Sequence, residues 1–157
     1  MNQKIKCIGL ISDTHGLLRK SAVTVLADSD IIIHAGDIDT PEILDALNKI
    51  APVFPVRGNM DRNPDGANLP KYEIVEIEDV SIYVLHDINQ LDLDPAAAGF
   101  AVVVSGHTHR PMIKYRDSVL YINPGSAGPR RFTLPISVGM LKIEDGRITP
   151  KIIQIEE

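Results

Sequence analysis

Ile31-Ile32-Ile33-His34-Ala35-Gly36-Asp37 decides the fold: a short apolar run of residues branched at Cβ, closed by a glycine and then a carboxylate. Such side chains suit a pleated strand, and a continuous rather than alternating apolar pattern implies burial on both faces. The placement repeats upstream, where residues 4–11 predict a strand ending at Ser12-Asp13-Thr14-His15-Gly16. Each strand is followed by helical signals. Residues 17–27 put Leu18, Ala22, Val25 and Leu26 on one face. Thr40 as N-cap and Pro41 at the first helical position open a second helix, with Glu42, Ile43, Leu44, Leu47 and Ile50 beyond. This βαβα order predicts an α/β fold with a parallel sheet. Asp13 and Asp37 would then lie at neighbouring C-terminal strand ends, where open α/β sheets carry ligands.

Residues 53–56 supply a third short strand, and residues 58–71, rich in Asn, Asp, Pro and Gly, form a long loop of the kind often used for function. The pattern then changes. Residues 72–77 and 80–85 predict adjacent strands across a tight Glu78-Asp79 turn, the start of a second, more antiparallel sheet. Asp94 as N-cap, Pro95, three alanines and Gly99 mark one short helical turn. The strand at 101–104 delivers Gly106-His107-Thr108-His109, and further strands are predicted at 114–116, 119–122, 137–143 and 147–155, the last pair joined by Asp145-Gly146. No repeat, low-complexity tract or linker interrupts the pattern, so residues 1–157 are expected to form a single domain.

Composition narrows the function. Hydrophobic residues make up 44% of the 157 and charged residues 24%, ordinary for a globular chain able to bury a core. The net charge of −5, from 21 acids against 16 bases, contains no block of like charge, and aromatic residues are only 4%. Both facts argue against a nucleic-acid surface, so a metal-dependent nuclease ranks last. A small anionic phosphoester is compatible, because metal cations outweigh local carboxylates. Cys7 is the single cysteine, which excludes an intramolecular disulfide and suits a reducing compartment. It is expected to be a buried core residue rather than a ligand or nucleophile. The apolar stretch at 7–11 is too short for a signal h-region or a membrane span, so a cytoplasmic protein with no membrane partner is expected.

Seven possible metal ligands stand in order: Asp13, His15, Asp37, Asn59, His86, His107 and His109, nearly all at the ends of apolar runs. Singly each has a plain alternative. An aspartate after a strand serves as a helix N-cap, Gly58-Asn59 is a common turn pair, and histidines ending strands are often solvated. Together they form the mixed imidazole and carboxylate shell favoured by Mn²⁺, Fe²⁺, Ni²⁺ or Zn²⁺, in which one carboxylate can bridge two ions. The set points to a two-metal hydrolase of phosphoesters, with Asp37 as the expected bridge and Asn59 adding a neutral amide oxygen. Alternate histidines leaving a strand can serve two different ions.

These residues resemble the calcineurin-like metallophosphoesterase superfamily, whose pattern D-x-H, G-D, G-N-H-[D/E], a later H and G-H-x-H is matched in order across residues 13–109. The chain looks closest to the small single-domain prokaryotic phosphodiesterases, since Asn123-Pro124-Gly125-Ser126 resembles their terminal N-P-G-S turn. The resemblance implies a metallo-dependent phosphatase-like fold, a four-layer αββα sandwich of two mixed β-sheets flanked by helices. It assigns Asp13, His15, Asp37 and His109 to one ion and Asp37, Asn59, His86 and His107 to the other, and it gives Asp37 and Asn59 to catalysis. Manganese is the first expectation for both ions, with iron, nickel or zinc as alternatives. The implied reaction is in-line attack on a small phosphodiester by a hydroxide bridging metals about 3.5–4 Å apart. A homo-oligomer is compatible with the sequence.

Two departures from the family pattern stand out. Met60 occupies the position of a histidine that contacts phosphate and protonates the leaving group, which a thioether cannot do. Asp87 replaces the usual glycine after the histidine and either adds negative charge or alters the backbone. His34, the one histidine outside the motifs, reads as a satisfied core residue, and Thr14 and Thr108 flank ligands that they could orient. Arg57 and Arg110 could meet phosphate, and Arg130-Arg131 reads as a solvated basic pair. The rival function is a non-catalytic metal-binding scaffold for protein interactions, since a eukaryotic retromer subunit resembles these enzymes in fold. Retention of ligating residue types at all seven positions favours the enzyme.

Overall fold

The Ile31–His34 run is strand β2, and it lies parallel to β1 (Lys6–Ile11), with Ile33 opposite Leu10 and His34 opposite Ile11. The structure, a computed structural model, describes residues 6–62 and 68–156. The expected start of β1 at residue 4 and part of the loop at 58–71 lie outside these residues. The first sheet has the order β10-β9-β1-β2-β3, with β3 at Val53–Pro55, β9 at Ser137–Glu144 and β10 at Arg147–Gln154. The second sheet has the order β4-β5-β6-β8-β7, from Tyr72–Ile77, Val80–Leu85, Val102–Val104, Val119–Asn123 and Met112–Arg116 respectively.

Both sheets are mixed. β1-β2 and β2-β3 are parallel while β1-β9 and β9-β10 are antiparallel. In the second sheet β5-β6 and β6-β8 are parallel while β4-β5 and β7-β8 are antiparallel. The expectation of a more antiparallel second sheet is therefore corrected. One parallel pair joins the consecutive strands β5 and β6, and the other arises because β6 bonds to β8 and passes over β7, a non-local pairing that hairpin signals do not reveal.

Alternation sorts the side chains into layers. Ile8, Leu10 and Ile33 of the first sheet meet Ile82, Val84, Val102, Val104, Leu120 and Ile122 of the second in a shared buried core. The opposite face of the first sheet, through Ile11, Ile32 and Val138, packs on Ala22 and Leu26 of α1 (Lys20–Leu26) and Ile43 and Leu47 of α2 (Pro41–Asn48). The fourth layer is thin. A 3₁₀ turn at Ile88–Gln90 and α3 (Pro95–Ala98), with the loops around them, bring Ile88, Leu91, Leu93 and Phe100 over Tyr83, Leu85, Val103 and Val119.

Local signals differ in how they act. Asp94 caps α3 as expected, accepting from the N–H groups of Ala96 and Ala97, and Gly99 closes it in the left-handed region. Thr40 holds the N-cap position of α2, but its side chain makes no capping bond. α1 begins at Lys20 rather than Leu17, because Leu17 N–H closes a turn onto Thr14 O and Arg19 is extended. Cys7 is half-buried rather than a full core residue, its N–H bonded to the Asp30 carboxylate at 2.7 Å. Among the described residues no helix is long and apolar enough to cross a membrane.

Candidate metal centre

Parallel pairing sends the C-terminal ends of β1, β2 and β3 in one direction and those of β5, β6 and β8 likewise, and the loops beyond them interlock. Asp13 N–H donates to Gly36 O and His15 N–H to Asp37 O, both at 3.0 Å, while Gly106 N–H donates to His86 O at 2.9 Å. These bonds gather the loops of Asp13, Asp37, His86 and His107 at the C-terminal strand ends of the two sheets. Five of them, Asp13, His15, Asp37, His107 and His109, have φ between 44° and 71°, the left-handed region that non-glycine residues avoid. Each such residue costs about 1–3 kcal/mol and persists only where surrounding contacts force it, a mark of functional geometry.

The carboxylates are divided between support and reach. Asp13 is buried, and its Oδ2 accepts from Ser12 Oγ at 2.7 Å and His107 N–H at 3.1 Å. Its Oδ1 is left 3.4 Å from His109 Nε2, 3.8 Å from His15 Nε2 and 4.0 Å from His86 Nε2. Asp37 Oδ1 accepts from Met60 N–H at 2.7 Å, and Oδ2 stands between His86 Nε2 at 3.2 Å and His15 Nε2 at 3.8 Å. Asn59 Oδ1 is 2.9 Å from His86 Nε2 and 3.3 Å from His107 Nδ1, which joins the remaining two residues to the set.

Among the described His, Cys, Asp and Glu residues, two groups have ligand atoms within 4.8 Å of one another, Asp13–His15–His109 and Asp13–Asp37–His86. Asp13 is common to both. Among the described residues, Asp13 Oδ1 and His15 Nε2 are buried without a hydrogen-bond partner, a costly arrangement for polar atoms unless a cation meets them. The donor set of carboxylate, imidazole and amide oxygen fits borderline divalent ions.

His86 shows the electrostatics. Its Nδ1 contacts Ala35 O at 2.7 Å, which directs Nε2 at Asp37 and Asn59. Burial works against its cation, but the bond to Asp37 and the nearby Asp13 charge outweigh that and raise its pKa. Burial likewise opposes ionisation of Asp37, yet bonds from His86 and from Met60 N–H hold its carboxyl down at about 2. A proton on Nε2 would therefore compete with any divalent ion held by the Asp13–Asp37–His86 group.

The supporting residues are mostly ones that sequence reading passed over. Asp61 is buried, and its Oδ2 accepts from Asp37 N–H at 3.0 Å and Gly58 N–H at 2.8 Å. Its Oδ1 accepts from Ile38 N–H at 2.8 Å and Asp39 N–H at 3.0 Å, so one carboxylate clamps the Asp37 loop to the Asn59 loop. The N-P-G-S turn acts in the same way. Asn123 Nδ2 donates to Gly106 O at 2.9 Å and Thr108 Oγ1 at 3.1 Å, and Ser126 Oγ donates to Asp13 O at 3.1 Å. At Gly106 a Cβ would collide with Ser12 Oγ, so the His107 loop can approach Asp13 only with glycine there. Asp87 has an ordinary extended backbone. One of its oxygens accepts from Asn89 N–H at 3.0 Å and the other lies 3.8 Å from His107 Nε2, so the departure adds charge and leaves the backbone unaltered.

His34 is fully buried and its bonds fix one tautomer. Nδ1 accepts from Gly36 N–H at 3.1 Å, so Nε2–H donates to Thr14 Oγ1 at 3.0 Å, and the Thr14 hydroxyl passes on to Ile38 O. Burial, only partly offset by nearby carboxylates, lowers its pKa from 6.5 to about 4. Between those values the unfolded chain binds a proton that folded His34 does not. This contribution is therefore fully present above pH 6.5, is lost as pH falls, and levels off below pH 4 after about 3 kcal/mol. The raised pKa of His86 acts in the opposite sense, so the direct measurement is an NMR titration of the His34 ring. A midpoint near 4 is expected, and one near 6.5 would contradict the buried neutral assignment.

A family model for the calcineurin-like phosphoesterase superfamily domain matches residues 7–146. The chain belongs to that superfamily. A probable metallophosphoesterase of Methanocaldococcus jannaschii is 40% identical over 163 residues, covering 96% of this chain and 82% of that protein. A phosphodiesterase of the same archaeon is 28% identical over 155 residues, covering 87% and 93%. The solved structure of Vacuolar Protein Sorting 29 from Cryptosporidium parvum has the same fold, with a TM-score of 0.76 at 19% identity and coverage of 98% of this chain and 99% of that one. Calcineurin-like phosphoesterases are metal-dependent, and the Asp/His clusters of this member are able to bind metal.

Proposed function

We propose that this calcineurin-like phosphoesterase is a dinuclear-metal phosphodiesterase acting on a small phosphoester. The observation that carries the reading is the convergence of Asp13 Oδ1 and Asp37 Oδ2 on histidine nitrogens beside an open pocket of about 400 Å³. Asp13, His15, Asp37 and His109 would hold one ion and Asp37, Asn59, His86 and His107 the other, with manganese favoured. When bound, such a pair supplies Lewis-acid stabilisation of phosphoryl oxygens and a water acidic enough to act as nucleophile near neutral pH. The chain's own residues do the rest. Asp13 and Asp37 bring negative charge to the cluster, the Ala35 carbonyl orients His86, and Asn59 adds a neutral oxygen between His86 and His107. No activated serine or cysteine is required, and Cys7 lies within β1 rather than in a ligand-bearing loop.

The likeness in fold to Vacuolar Protein Sorting 29 supports a second reading, a metal-binding scaffold. Against it stand the ligating side chains at all seven positions and the left-handed backbone that holds five of them. The discriminating experiment uses metal-free protein reconstituted with each of Mn²⁺, Fe²⁺, Ni²⁺ and Zn²⁺ and assayed on phosphomonoesters, phosphodiesters and cyclic nucleotides. Metal-dependent hydrolysis, fastest with diesters and Mn²⁺, is expected. Folded protein that binds ions yet hydrolyses no ester would establish the scaffold instead.

A further inference from the structure

The pocket beside Asn59, His86 and His107 is far larger than a phosphate group requires, and its volume is in the range that encloses a small organic ligand. Its remaining walls have a particular chemistry. Tyr72 and Tyr83 line it with rings stacked at 5.8 Å between centroids and 20° between planes. Tyr83 is buried and braced by Phe100 at 5.2 Å, so the lower ring is fixed, while Tyr72 is 60% exposed. Strand register puts Tyr72 opposite Leu85, the residue before His86, so this aromatic platform begins one residue from a proposed ligand. Gln90 and Asp92 line the same space with an amide and a carboxylate. Burial, with Asp92 and Tyr72 nearby, pushes the Tyr83 hydroxyl up, which keeps it a neutral donor.

We propose that this pocket is a nucleoside subsite, so that the substrate is a nucleotide phosphodiester whose base stacks on Tyr72 while its phosphate reaches Asn59, His86 and His107. The proposal rests on the phosphoesterase reading and adds the class of group esterified to the phosphate. Every nucleobase has a π face for a tyrosine to meet, and its edge carries donors and acceptors that an amide and a carboxylate can pair. A lipid or alkyl group fits poorly, because Leu85 is the lone aliphatic residue of the lining among the described residues, and cationic Arg57 and Lys71 share that lining.

The test has two arms. In the first, the p-nitrophenyl diesters of thymidine monophosphate and of methyl phosphate are compared, since they share a leaving group and differ only in the other ester. The kcat/KM ratio should favour the nucleoside ester by roughly 10- to 100-fold, as expected of one base stacking on an aromatic ring. Tyr72→Ala should bring that ratio toward one, and Tyr72→Phe should keep it. In the second arm, thymidine monophosphate and deoxyribose phosphate are titrated calorimetrically into metal-free protein, and the nucleotide should bind tighter by a similar factor that Tyr72→Ala removes. Equal kcat/KM for the two esters together with equal binding of the two ligands would overturn the subsite while leaving the phosphoesterase reading intact. Absence of hydrolysis with a retained, Tyr72-dependent preference for the nucleotide would support the subsite and remove the phosphoesterase reading.

Discussion

Asp37→Ala will leave the protein with one firmly held divalent ion instead of two and will lower diester turnover by roughly 10³-fold or more, the several kcal/mol that a paired centre contributes to the transition state. The geometry gives the reason. Asp37 Oδ2 lies between His86 Nε2 and His15 Nε2, which belong to the two proposed ion sites, and among the described residues no other carboxylate oxygen approaches both as closely. Without it, two cations would face each other without their shared anion. The group Asp13–His15–His109 does not include Asp37, so one ion should remain. Because Asp37 has φ 58°, alanine also adds backbone strain, and Asp37→Asn is the companion variant that tolerates that conformation while removing the charge. Metal content by emission spectroscopy and turnover on an aryl phosphodiester check the prediction. Two tightly bound ions with near-normal turnover in both variants would reject Asp37 as the bridge, and Asp13, which both groups share, would take its place. In the same assay His109→Ala should weaken the ion beside Asp13, and His107→Ala the one beside Asn59.

What the sequence disclosed about this centre, and what it withheld, follows from the range of each signal. Apolar runs ending in Gly-Asp or Gly-His are local, so the strands and the candidate ligands at their ends could be read directly. The two parallel pairs of the second sheet could not, because β6 reaches β8 past the intervening strand β7 and the connection from β5 to β6 contains only a 3₁₀ turn and one helical turn. A helical crossover would have announced a parallel neighbour. Similarly, α1 starts later than the helical signals predict, because Leu18 fits the helical stripe while the bonds Leu17 N–H to Thr14 O and Gly16 N–H to Ile38 O keep the chain in the Asp13–Gly16 loop. The supports of the site were hidden by their residue types. Ser12, Asp61, Asn123 and Ser126 are ordinary turn formers in sequence, and only their tertiary partners show that they aim Asp13, clamp Asp37 and hold the His107 loop. Asn123 and Ser126 were at least marked by the resemblance. Asp61 was marked too, as the acidic position of G-N-H-[D/E], but nothing in that pattern indicated that its carboxylate would clamp the Asp37 loop.

Turnover will fall steeply with the basicity of the leaving group, and Met60→His will flatten that dependence. Met60 N–H donates to Asp37 Oδ1 at 2.7 Å, so the backbone of this residue serves the site whatever its side chain. The side chain itself is 46% exposed beside the cluster and has no ionisable hydrogen, although it follows Asn59 at the position where the family pattern has a proton-handling histidine. A leaving alkoxide must then depart with little protonation, which nitrophenolates tolerate and alkoxides do not. An imidazole at this position would keep the backbone bond to Asp37 and add a donor. General acid catalysis is commonly worth about 10²–10⁴-fold, so even partial recovery should be visible with poor leaving groups and nearly absent with good ones. The measurement is kcat/KM for a graded series of aryl phosphodiesters in wild type and Met60→His, at equal metal content and with chemistry shown to be rate-limiting. A shallow slope in the wild type would mean that another group already donates the proton, and the assignment of selectivity to Met60 would fail.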